Sequence, residues 1–318
     1  MSEKDKIAAY RQFCREQEQL PIFLQDWWLD EVCAAGRWQV AICRDAEGKL
    51  EAALPYFIHR RWKLPAIVQP PLTPCVGPIF REDLSHLKLH KQYSKRDLAI
   101  ASLLDQLPGM VYCELPLIPG GQDWMAFHRA GFEQQRAYTY VLEDASDLNV
   151  VFSGFASNVR NYIRRAREQL TVCEHEDIAL LHQLLTQTFE RQNLRSPLSL
   201  DLLQRLDRAA RQRGQCRFLI VKNAQEQVHA GVFLVWDRQK MYNLMLGADT
   251  QLRAGGAVQL LLWKAIQLAS ELGLAFDFEG SMLPSVETMF RGFGGRRVGY
   301  HRLYRYGNRF WKLLHAMR

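Results

Sequence analysis

What this 318-residue chain lacks narrows its identity first. Its seven cysteines (Cys14, Cys33, Cys43, Cys75, Cys113, Cys173 and Cys216) are odd in number and scattered, with no Cys-x-x-Cys. That excludes a disulfide framework and a paired-thiolate zinc site, and it reads as the reduced thiols of a cytoplasmic protein. No run of about 18 apolar residues occurs, so no membrane-spanning helix is expected. The first residues, MSEKDKIAAYRQFCREQEQ, are too polar for a signal peptide. Gly-x-Ser-x-Gly is missing, so no serine-hydrolase elbow is indicated. His86 and His90 stand four apart without a third ligand beside them, and no metal is expected. No segment is of low complexity.

What is present is an ordinary globular balance, 48% hydrophobic and 24% charged, enough to build the cores of two domains of roughly 150 residues. A net charge of +7 leans toward anionic partners.

The chain repeats itself. WQVAICRDAEGKLEAALPYF, from Trp38, matches CRFLIVKNAQEQVHAGVFLV, from Cys216, without a gap at an offset of 216 − 38 = 178. Each reads as a strand, a basic residue (Arg44, Lys222), a polar turn and a second strand, which is a hairpin. A second echo follows in the same order: FHRAGF after the strand carrying Glu114, and FRGFGG after the strand carrying Glu279. Apolar residues at i, i+3, i+4 predict long helices over 84–106 and 256–272. Between the halves, helices are predicted over 157–170, 177–194 and 196–214, the last with Pro197 near its start and Gly214 at its stop. The predicted domains are 1–145 and 146–318, divided where EDASD breaks the pattern at Asp144–Asp147.

Hairpin, strand, helix, strand, helix, strand is the order of the GNAT acyltransferase fold, and the quoted segments resemble its motifs. The chain is similar in particular to the Fem-type branch, through PIFLQDWWLDEV (21–32), SNVRNYIRRARE (157–168), FDFEGSM (276–282) and ETMFRGFGGRRVGY (287–300). The resemblance implies an α/β (α+β) fold of two tandem GNAT-like domains, each a mixed, mostly antiparallel sheet flanked by helices. It implies acyl transfer to a small-molecule or peptide amine. The donor is acetyl-CoA or another acyl-CoA; the alternative is an aminoacyl-tRNA, with tRNA as partner and a peptidoglycan-precursor peptide as acceptor. A binding protein that kept the fold without the chemistry is the third class.

By the same resemblance, donor phosphates are placed at Arg253, Gly255, Gly256 and Ala257. Backbone N–H groups at a helix N-terminus attract anions there, and glycines permit close approach. The first half has no such loop and is expected to be a degenerate copy with a structural or acceptor-binding role. The strand 239–246 is expected to hold the donor carbonyl near Leu246 and Gly247, with a backbone N–H facing the oxyanion. A strand over 274–279 would put Ala275, Asp277 and Glu279 on one face and Phe276 and Phe278 on the other. Two carboxylates there suit removal of a proton from an attacking amine, Glu279 first and Asp277 second; an ion pair with Arg253 or Arg291 is the other reading. Where GNAT enzymes often carry a Tyr that protonates the leaving thiolate, this chain has Phe290. Either Tyr300 or Tyr304 substitutes, or the donor is not a thioester. Arg160 and Arg164 share a helix face and, with Arg291, are candidates for holding a phosphate-bearing substrate; a solvated basic face is the alternative. The tail 308–318 reads as a short basic amphipathic helix.

Overall fold

The computed structural model describes residues 1–34, 37–61, 64–81, 84–120, 124–190, 194–249, 251–252, 255–280 and 282–316. The chain divides into two compact units. One is Met1–Ala137 together with Gly299–Arg318; the other is Tyr138–Val298. Units of packing and copies of a repeat need not share a boundary, and here the chain crosses between the units twice.

In the first unit, α1 (Glu3–Glu16) and α2 (Asp26–Val32) precede the hairpin β1 (Arg37–Arg44) and β2 (Leu50–Arg61). There follow β3 (Leu64–Val68), β4 (Ile79–Phe80), α3 (Leu89–Asp105), β5 (Tyr112–Pro116) and α4 (Met125–Arg129). The strand β6 (Glu133–Leu142) then carries the chain into the second unit.

The second unit begins with α5 (Leu148–Gly154) and α6 (Ser157–Gln169). It continues through β7 (Leu170–Glu174), α7 (Ile178–Glu190), α8 (Leu200–Gln212), and the hairpin β8 (Cys216–Asn223) with β9 (Val228–Trp236). The elements β10 (Lys240–Ala248), α9 (Ala257–Glu271), β11 (Ala275–Asp277) and α10 (Pro284–Arg291) complete it. The strand β12 (Arg296–Tyr306) returns the chain to the first unit, where α11 (Arg309–Ala316) ends it.

The first unit's sheet runs β1-β2-β3-β5-β12, with β3 and β5 parallel and the other pairs antiparallel. Leu54, Ile67, Leu103, Leu115, Phe127 and Leu303 form part of its core. The second unit's sheet runs β6-β11-β10-β9-β8-β7, with only β10 and β11 parallel. On one of its faces Ala230, Val232, Leu234, Met241, Phe276 and Phe278 pack against α9 and α6.

The two hairpins share more than their sequence pattern. In the first, the register slips after Cys43↔Ala52 to Arg44↔Leu50, leaving out Glu51. In the second, it slips after Val221↔Ala230 to Lys222↔Val228, leaving out His229. The displaced residues differ by 229 − 51 = 178, the repeat offset, so the duplication extends to a β-bulge.

Helix ends differ from those predicted, for local reasons. The helix α3 begins at Leu89, not at 84, because Leu84 and Leu87 close a turn of their own. The helix α8 begins after Ser199, whose side chain accepts from the Leu202 N–H, rather than at Pro197. The helix read over 157–170 ends at Gln169 and passes straight into β7, a strand the periodicity did not predict. At Gly256 the backbone is left-handed, φ +98°, and an added Cβ would lie 2.4 Å from the Tyr162 carbonyl oxygen.

Gly256 thus combines a conformational demand with a steric one, whereas Gly273 (φ +67°) has no atom within 4 Å of an added Cβ. Gly273→Ala should cost about 1 kcal/mol, the strain of a left-handed L-residue. Gly256→Ala should cost at least twice that, because α6 must also move. Urea unfolding of the two variants checks the ordering; equal losses would show that the contact with Tyr162 matters little.

Candidate functional site

The site is made where two parallel strands part. The strands β10 and β11 pair only over Lys240↔Ala275, Met241↔Phe276 and Tyr242↔Asp277. Beyond that point β10 continues to Ala248 against β9, while β11 ends. A bulge in β10 between Asn243 and Met245 bends it there. Bonding parity decides which backbone groups face the gap. Asp249 N–H donates to His229 C=O, so Gly247 and Gly231 are also a hydrogen-bonded pair, and the N–H and C=O of Leu246 and Ala248 turn to the opposite, open edge.

On the other side of the gap, the chain after Asp277 does not continue as a strand. The predicted strand 274–279 is only Ala275–Asp277, because Glu279 is left-handed (φ +56°) and strict alternation stops there. Gly280 permits the turn: an added Cβ would lie 2.1 Å from the Tyr138 carbonyl oxygen. Phe276 and Phe278 do share a face, both in the apolar core against α9.

Asp277 is 2% exposed. One of its oxygens, Oδ1, accepts from the Thr139 hydroxyl at 2.5 Å and from the Glu279 N–H at 3.0 Å. Thr139 Oγ1 in turn accepts from the Gly280 N–H at 3.0 Å. Burial pushes the Asp277 carboxyl above the ordinary Asp range, against these two hydrogen bonds and the Lys240 charge. Glu279 is enclosed by protein yet keeps some solvent access. Its carboxyl is pushed well up, first by desolvation and then by the Asp277 charge, with Lys240 acting in the opposite sense. The two carboxyls differ physically: Asp277 is held by two donors on one oxygen, whereas Glu279, without them, has its affinity for a proton raised further.

The remaining predicted residues fall in different places. Arg253 lies outside the described residues. Gly256 is the N-cap of α9 and gives it no capping side chain; Ala257 begins the helix and is buried. Gly255 is exposed, and an added Cβ would touch the Tyr162 ring at 3.9 Å, an ordinary van der Waals contact. Gly247 turns toward α7, where an added Cβ would meet Leu184 at 2.9 Å, and Leu246 packs against the α9 core. Arg160 donates to the carbonyls of Ser153 and Phe155 and so closes the end of α5. Arg164 lies over the Phe152 ring at 5.8 Å. The face these two arginines share is turned to α5, which is a packing role. Arg291 is exposed and 4.0 Å from Glu287. Tyr300 and Tyr304 stand on the part of β12 that belongs to the first unit. Phe290 is buried against Phe278 and Phe293.

Three contributors escaped the sequence reading. Thr139 stands 138 positions from the Asp277 it serves, and no local pattern joins them. The Tyr140–Glu287–Arg297 cluster, with Arg297 Nε donating to Tyr140 Oη at 2.8 Å, ties α10 to β6 and braces the turn after Phe278. Asn243 carried a usable signal: an Asn in the middle of a strand is unusual. Among the described residues, no group of three or more His, Cys, Asp or Glu gathers as a metal site, and no helix is long and apolar enough to cross a membrane.

Residues 153–283 match the family model described as an acetyltransferase (GNAT) domain. Among solved structures, the chain is similar to FemX at 12% identity and TM-score 0.62, covering 95% of this chain and 96% of that one. It is similar to a tandem GNAT protein from the clavulanic acid biosynthesis pathway at 9% identity and TM-score 0.54, covering 96% of each. It is also similar to L-PGS from Bacillus licheniformis at 12% identity and TM-score 0.55, covering 97% of this chain and 93% of that one. A search of curated protein sequences finds no match. The fold is a Fem-like tandem GNAT fold, an α/β architecture of mixed sheets flanked by helices.

The raised carboxyl of Glu279 sets a pH dependence of stability. The native state holds this proton more tightly than the unfolded chain, so stability is greatest below the ordinary Glu range. It falls as pH rises from there through the raised native value; Asp277 adds a fall of the same sign. Glu279→Gln should flatten this fall and raise the melting temperature at pH 8, read by thermal unfolding across pH 4–9. A variant that loses stability with pH as steeply as the wild type would show that the native state does not hold the Glu279 proton more tightly than the unfolded chain does.

Proposed function

We propose that this protein transfers an acyl group to a primary amine, with acyl-CoA as donor. The observation that carries this reading is the gap between β10 and β11, with the Asp277–Glu279 carboxyl pair at its head. The fold of the GNAT acyltransferases supports it. In this reading, residues 146–318 bind the donor and carry the chemistry, and residues 1–145 are structural or bind the acceptor. The acceptor is a small molecule or peptide bearing an amine.

The chain's features fit such a donor. The N-terminus of α9 has no capping side chain and Gly255 beside it is exposed, so phosphates are received there, with Arg253 supplying charge. An acyl-CoA supplies an activated carbonyl carbon and a thiolate leaving group. The Leu246 N–H on the open edge of β10 stabilises the oxyanion. Glu279 takes the proton of the attacking amine, its raised affinity for protons bringing it closer to the amine's own. The C–N bond forms as the C–S bond breaks; the proton on Glu279 returns to solvent, from which the thiolate is protonated. Phe290 offers no proton, and a thiolate, whose conjugate acid resembles a Cys thiol with pKa ≈ 8.5, leaves without one. An aminoacyl ester of tRNA is the alternative donor. It asks more of the site, because a ribose oxygen is a much stronger base to expel.

Thiol release from acetyl-CoA across a panel of primary amines measures this activity. Glu279→Gln should lower kcat/KM by roughly 10²–10⁴-fold, the range of a lost general base. Unchanged turnover in Glu279→Gln would remove that residue from the mechanism, and no thiol release with any amine from either acetyl-CoA or glycolyl-CoA would remove the acyl-CoA reading.

A further inference from the structure

Asn243 is the first residue of β10 beyond the last pair with β11, and it sits at the β10 bulge. It is 5% exposed. Its Nδ2 reaches across the head of the gap to the Phe278 carbonyl at 3.4 Å, near the outer limit of a hydrogen bond. Because a carbonyl can only accept, the amide must present its nitrogen to Phe278, which fixes Oδ1 at the opposite end of the planar group. That Oδ1 is buried and has no partner among the described residues. A buried acceptor left unpaired destabilises the fold. Strands disfavour Asn in any case. An apolar residue of similar size would suit this strand better unless the oxygen is used.

We propose that Asn243 selects the acyl group, its Oδ1 accepting from a hydroxyl or amino group on the carbon next to the donor's carbonyl. This rests on the acyl-transfer reading above, in which the gap between β10 and β11 receives the acyl group. A plain acetyl group leaves Oδ1 unpaired; a glycolyl or glycyl group satisfies it. Sites that hydrogen-bond a substrate hydroxyl reject the analogue lacking it much more strongly than apolar pockets reject a missing methylene. The residue is therefore a determinant of specificity, distinct from Glu279 in role: it touches the part of the acyl group that does not react.

Calorimetric titration of the full chain with acetyl-CoA and glycolyl-CoA tests this directly, and the same acyl groups with glycyl as 3′-esters of adenosine repeat it on the other carrier. The wild type should bind the donor-bearing acyl group roughly 10–100-fold more tightly than acetyl on whichever carrier it accepts. In Asn243→Leu that preference should vanish or reverse. Equal affinity of the wild type for acetyl and glycolyl, as expected if a buried water satisfies Oδ1, overturns the proposal while leaving the acyl-transfer reading intact. So does an Asn243→Leu protein that keeps the wild-type preference. Binding of neither carrier overturns both. The wild-type comparison stands even if the variant fails to fold.

Discussion

Two parallel strands that separate after three paired residues are the constraint from which the rest of this site follows. Separation forfeits ladder hydrogen bonds, and backbone groups left unpaired inside a protein are costly. The chain sustains it by fixing both sides. On one side β10 is held by β9 along its whole length and bent by its bulge. On the other, Gly280 permits a turn that no side chain would allow, and Thr139 ties that turn to Asp277. What results is an edge of strand facing a space, and that edge is what gives a sheet the means to hold a carbonyl.

The carboxyl pair shows how the same constraint sets chemistry. Asp277 is buried, and two donors on one oxygen offset only part of the cost of its charge. With Asp277 so engaged, the neighbouring Glu279 bears the electrostatic penalty, and its affinity for a proton rises. A base near the surface of an ordinary protein would be far weaker.

Much of the architecture was legible because it is written in local patterns. The two hairpins could be aligned residue by residue, and even their shared bulge falls at the repeat offset. The helix from Ser157 and the glycine before α9 were likewise readable from periodicity and turn chemistry. The site was legible only in part. Glu279 and Asp277 could be chosen as carboxylates near a strand end. Their relation could not, because it depends on a left-handed residue and on a threonine from a distant strand. The partners of Arg160 were not legible either: it donates to the Ser153 and Phe155 carbonyls at the end of the short helix α5, an element that no periodicity marked. Asn243 stands out as a polar residue in mid-strand only once the strand is placed, and only the neighbouring Phe278 carbonyl gives its amide a direction.

The route of β12 has a bearing on biosynthesis. Residues Arg302–Tyr306 pair with Tyr112–Pro116, so the sheet of the first unit lacks a strand until nearly the whole chain has been made. The second unit has all its residues once Val298 has been synthesised. Domains usually fold in the order in which they leave the ribosome, at roughly 5–20 residues per second. Here that order is inverted for the final step: the half made first is finished last, and its exposed β5 edge must wait through the synthesis of its successor.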